Sequence, residues 1–125
     1  MKIIKFGGTP KEQKYLSNLV LTGLKSATSS LYDLQKLNHI APTIVGDIWY
    51  IHDDKDSCVC KVKVTAVELV PFGEVKPAFA ILEGDKTYEN WHEIHFTYYS
   101  SLLSKFNREL SADTLLECVY FEITK

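Results

Sequence analysis

The run CVCKVKVTAVELV, residues 58–70, constrains this chain more than any other stretch. Val59, Val62, Val64 and Val67, with Cys58 and Cys60, make a long β-rich segment whose central part carries Lys61 and Lys63 on one face. Before it, GDIWYI (Gly46 to Ile51) reads as a turn followed by a strand, and the charged HDDKDS between the two reads as a hairpin loop. The final segment, TLLECVYFEI, is also β-rich and must pair with an earlier strand to be stable.

Helices are signalled on either side of these strands. Thr9, Pro10, Lys11 and Glu12 read as an N-cap, a proline at the first helical position and a capping-box glutamate. Tyr15, Leu16, Leu19 and Val20 follow as the apolar stripe, and Gly23, able to take positive φ, ends the helix. The next residues, SATSSLYDL, fit either an extended segment or a new helical turn. PFGEVKPAFAILEGD reads as a loop around a short helical piece near Ala78 to Leu82. A longer helix opens at the cap Thr87 and sets Trp91, His95 and Tyr98 or Tyr99 along one side. The pattern predicts an α+β fold, and 125 residues are enough for one domain, 1–125, with a core of its own.

A net charge of −2, with scattered Lys and Arg, argues against a protein that grips a long nucleic acid through a broad basic face. A local basic patch could still assemble in the fold. The three cysteines are an odd set and are expected to be reduced. Cys58 and Cys60 lack the second ligand pair of a structural zinc site, and His92 and His95 lack the H-E-x-x-H spacing. No metal and no cofactor are expected. No apolar run approaches the ~20 residues that span a bilayer, so no membrane partner is expected either. The stretch MKIIKFGGTP lacks the apolar core of a signal peptide, which predicts a soluble, cytoplasmic protein; the oligomeric state stays open.

GLKSATSSL, residues 23–31, places one lysine and four hydroxyls at the end of the first helix with no acidic residue among them. Ser, Thr and Gly serve a helix exit by satisfying its unpaired backbone groups. The candidates for chemistry are Lys25, Thr28 and Glu83, with the histidines beside them.

Together, GLKSAT, GDIWYI, PFGEV…FAILEGD and YENWHEIHF, in this order, resemble the ASCH domain, the activating-signal-cointegrator homology group, from Leu16 to Ile123. The resemblance implies a PUA-like small mixed β-barrel with flanking helices, and a polar cleft for a modified nucleoside or RNA. In small bacterial members it implies hydrolysis of acetylated cytidine by a lysine, a threonine and a glutamate, which match Lys25, Thr28 and Glu83 here. Gly23, Ser26, Ser29 and His95 are then the expected ligand contacts. Two departures stand out: Ser26 replaces the threonine of the family's K-T-A-T, and EGD is one Glu-Gly unit shorter than the family's E-G-E-G-D.

The chemistry can be stated on its own terms. Amide hydrolysis needs a nucleophile, a base for its proton and an acid for the departing amine. A threonine hydroxyl needs a base close by, and a lysine becomes one where burial or a neighbouring cation lowers its pKa. Glu83 would then carry the proton. The alternatives are an inert Lys25–Glu83 ion pair with Thr28 bonded to local backbone, a non-catalytic RNA-binding module using Lys25 with Lys61 or Lys63 on phosphate, and a ribonuclease. A shared site requires Lys25 and Glu83 within about 6 Å. It also sets Trp91 beneath the EGD loop, with His95 one helical turn further on.

Overall fold

In the computed structural model, which describes residues 2–124, the chain runs β1 (Lys2–Ile4), α1 (Pro10–Leu21), β2 (Ala27–Leu31), α2 (Tyr32–Leu37), β3 (Ile48–His52) and β4 (Cys58–Pro71). A 3-10 turn (Phe72–Glu74), α3 (Pro77–Leu82), α4 (Tyr88–Ser104) and β5 (Leu115–Thr124) follow. The five strands form one curled half-barrel in the order β1-β3-β4-β5-β2, with β1 and β2 at its two edges. Among the described strands β1 on β3 is parallel and the other pairs are antiparallel.

The helix ends follow their local chemistry. The Thr9 hydroxyl accepts from the Glu12 amide at 3.2 Å, and the Thr87 hydroxyl accepts from the Asn90 amide at 3.0 Å, each satisfying a free donor of a first turn. SATSSLYDL does both things its sequence allowed: it extends as β2, pairing with β5, and then turns into α2. The stripe of α1 divides. Leu19 and Val20 are buried, whereas Tyr15 is exposed and Leu16 half-buried, because the N-terminal half of the helix borders a cavity instead of the core.

The long strand is not a single register. Val64 pairs with Phe121 but Ala66 with Tyr120, so Thr65 is an extra residue, a β-bulge. The bulge exchanges the faces. Val62 and Val64 point with Val119 and Phe121 into a core that also holds Trp49, Ile51 and Val20. Beyond it, Val70 packs with Leu116 and Cys118 against Phe72, Phe79, Trp91, Tyr99 and Leu103. β5 is therefore buried on both faces, and each large apolar side chain it inserts contributes about 1.5–3 kcal/mol. The parallel strand β1 was not signalled in the sequence, since three residues are too few to show a period.

Candidate functional site

Two helices end in the same way on either side of one cavity. At the end of α1, Gly23 takes φ +84°, its N–H donates to the Val20 carbonyl at 3.1 Å and that of Leu24 to the Leu19 carbonyl at 2.9 Å. At the end of α3, Gly84 takes φ +103°, its N–H donates to Ile81 at 3.0 Å and that of Asp85 to Ala80 at 3.2 Å. Both are Schellman closures, which need a residue in the left-handed region and fix the direction of the exit. One sends the chain through Lys25 into β2; the other sets Glu83 before the turn and Asp85 after it.

Lys25 is only 5 % exposed. Its Nζ donates to the backbone carbonyls of Ala27 (2.9 Å) and Glu83 (3.0 Å), lies 3.8 Å from Glu83 Oε1, and sits 4.8 Å from the centre of the Phe6 ring. Burial pushes the Lys25 amine below its ordinary value, while Glu83 and Asp85 oppose the shift. In its neutral form the amine would keep two N–H bonds for these two carbonyls and a lone pair for a proton.

The Glu83 carboxylate, also buried, is held from several sides. Oε1 accepts from the Ser29 amide at 2.8 Å. Oε2 accepts from the Ser29 hydroxyl (3.1 Å) and from Trp91 Nε1, and lies 3.3 Å from His95 Nε2. The ring of His95 stacks on Trp91, and its Nδ1 is 2.8 Å from the Trp91 carbonyl oxygen, which can only accept, so Nδ1 carries a proton. Behind Ser29, the Tyr99 hydroxyl closes the network at 2.6 Å from the serine hydroxyl. Burial, with Glu83 adding to it, holds that phenol well above its ordinary value. Trp91 is fully buried under the EGD turn, as expected of a large indole at the start of the helix that follows EGD, and His95 stacks on it one turn further on.

The cavity beside these groups has a volume of about 710 Å³ and lies at the open seam of the half-barrel, between the segment leaving β1 and the edge strand β2. Lys25, Thr28, Ser29, Glu83 and His95 all line it, so five of the seven residues singled out from the sequence meet in one place. The other two stand behind it. Gly23 shapes the helix exit, and Ser26 is engaged through its backbone, donating to Leu82 at 2.8 Å and accepting from Phe121 at 3.0 Å. Ser29 supplies both of β2's bonds to Glu83, while Thr28, whose strand register places it on the opposite face of β2, borders the cavity without a hydrogen bond to that carboxylate. Lys61 and Lys63 lie on β4, away from the cavity; the lysines at its wall are Lys5, Lys25 and Lys86, and Lys5 is paired with Asp56 at 2.9 Å. Tyr15, Ile94 and Tyr98 add an exposed apolar rim.

Sequence reasoning passed over Asp85, which lines the cavity half-buried. Burial pushes its carboxyl above the ordinary value. The signal was in the EGD triplet itself, whose glycine makes the residue after it as fixed in position as the one before. Among the described residues no three His, Cys, Asp or Glu side chains gather in a way that could hold a metal ion, and no helix is long and apolar enough to cross a membrane.

A curled five-stranded mixed half-barrel with flanking helices, and a polar cavity at its open seam, defines the class of α+β fold to which the chain belongs. Within that class the chain belongs to the ASCH domain family, which it matches over residues 2–125. It is similar to the ASCH domain from Lactobacillus crispatus, with 23% identity and a TM-score of 0.92 over 98% of this chain and 78% of that one. It is also similar to protein EF3133 from Enterococcus faecalis, with 28% identity and a TM-score of 0.91 over 99% of this chain and 76% of that one. A comparison with curated protein sequences finds no match.

Proposed function

We propose that the cavity holds a small modified nucleoside and that the protein removes an acetyl group from its exocyclic amine. The observation that carries this reading is Lys25, a buried amine at the cavity wall whose pKa is lowered by desolvation and whose donors face two backbone carbonyls. Thr28 Oγ1 attacks the acetyl carbonyl, passing its proton to Lys25 Nζ. The C–N bond breaks as a carboxyl in the cavity protonates the departing cytosine amine; that carboxylate then takes a proton from the water that attacks the acetyl–threonine ester, and Lys25 returns its proton to Thr28 Oγ1 as acetic acid leaves. Glu83 holds Lys25 and Ser29 in place. A volume of about 710 Å³ lies in the range of small-molecule sites, and the aromatic rim suits a planar base.

Incubation with acetylated cytidine, followed by chromatography for cytidine and acetate, tests the reading. Release by the wild type and a loss of about 100-fold or more in Thr28→Val and Lys25→Met are expected. No release, or equal release by both variants, refutes it. A non-catalytic RNA-binding role has less support, because Lys61 and Lys63 stand off the cavity and Lys5 is already paired.

A further inference from the structure

Glu83 and Asp85 flank one glycine, yet their side chains are placed very differently. The Glu83 carboxylate already accepts from the Ser29 amide, the Ser29 hydroxyl and Trp91 Nε1, and faces His95 Nε2. A carboxylate with its lone pairs so occupied must break bonds with its own scaffold before it can take a proton. Asp85 is held chiefly by its backbone. Its N–H closes the α3 turn, and its carboxylate accepts one long bond, 3.4 Å from Asn90 Nδ2. It borders the same cavity as Lys25 and Thr28.

We infer that Asp85, not Glu83, is the carboxyl that exchanges protons with the molecule in the cavity, and that in deacetylation it protonates the departing amine. The second clause rests on the deacetylase reading. As the C–N bond of the acetylated base breaks, the Asp85 O–H bond breaks and an N–H bond forms on the base, leaving Asp85 ionised. In the second half, Asp85 takes a proton from the water that attacks the acetyl–threonine ester. Lys25 returns its proton to Thr28 Oγ1 as acetic acid leaves, so both groups finish as they began. Burial, which raises the Asp85 carboxyl, favours the protonated form this step needs; His95 and Lys25 oppose the shift and Glu83 adds to it. Lys5 and Glu12 face the cavity from the opposite wall, and Lys86 follows Asp85 in the chain.

The test compares Asp85→Asn with Glu83→Gln in the full chain, by turnover of acetylated cytidine across pH and by thermal melting. Asp85→Asn is expected to keep its melting temperature and lose about 100-fold or more in kcat. Its rate should also lose the decline at high pH that deprotonation of an acid imposes. Glu83→Gln is expected to melt lower, because an amide nitrogen turned toward Ser29 or Trp91 meets a donor. Wild-type turnover in Asp85→Asn, or a profile whose alkaline decline persists, overturns the inference. If the wild type itself fails to release cytidine, the deacetylase reading falls, and a carboxyl carbon-13 titration decides the rest. An Asp85 midpoint above the ordinary aspartate range supports proton exchange at this residue, and one within that range overturns it.

Discussion

Gly84 carries more of the site than its size suggests. A methyl group there would lie 3.0 Å from Leu19 Cδ1 and 3.6 Å from Lys25 Cβ, on a backbone already at φ +103°. Gly23 takes a comparable φ of +84°, but nothing lies within 4 Å of an added Cβ. Gly84→Ala should therefore cost the left-handed backbone penalty of about 1–2 kcal/mol plus the displacement of Leu19, while Gly23→Ala should cost the backbone penalty alone. Urea denaturation of the two variants checks the order, with Gly84→Ala the less stable. The same geometry explains why EGD suffices without a second Glu-Gly unit: a Schellman closure needs Glu83, Gly84 and Asp85 and nothing more.

At the scale of elements, the connection between α2 and β3 is fastened by a carboxylate from β5. Glu117 is 2 % exposed, and its oxygens accept from the Thr43 hydroxyl at 2.6 Å and the Thr43 amide at 3.2 Å. Thr43→Val removes the stronger donor from a buried charge and should cost about 1.5–3 kcal/mol. Adding Glu117→Leu should recover much of that loss, a non-additivity that urea midpoints of the three variants would show. Nothing in TLLECVYFEI marked Glu117 as buried, because a strand glutamate ordinarily faces water and its partner lies 74 positions away. Short-range features were legible by contrast. The caps Thr9 and Thr87, the stop at Gly23 and the hairpin around HDDKDS all depend on neighbours within a few residues. The bulge was half visible: Val62 to Val64 keeps the period of two and Val64 to Val67 breaks it, which marks a change of face but does not say that Thr65 is the extra residue. For the candidate site, the family resemblance pointed to Lys25, Thr28 and Glu83, and the fold brings these three to one cavity wall. The saturation of Glu83 by Ser29 and Trp91 needed coordinates, since it joins three separate segments.

For the whole molecule, burying Lys25 links stability to pH in a direction that can be worked out. Its folded pKa lies below the unfolded value of 10.5, so between the two the unfolded chain binds more protons and stability rises with pH. Buried Cys118, pushed up to about 12, and Tyr99 act in the opposite sense, losing stability as pH rises above their unfolded values. The wild type compared with Lys25→Met isolates the lysine, because the other groups are common to both. Urea midpoints taken from about pH 7 to about pH 10 should climb more in the wild type than in the variant. The half-barrel adds a mechanical consequence. β1 and β2, its two edges, have no ladder between them, and β1 is tied to the sheet by three residues on β3. A molecule lodged between Phe6 and Thr28 would therefore act as a clasp across an unsewn garment, joining two hems that the backbone leaves apart. Deuterium uptake at the amides of Lys2–Ile4 and of Gly7 and Gly8 should slow on adding cytidine, while the amides of β5, sewn on both sides, should keep their pace.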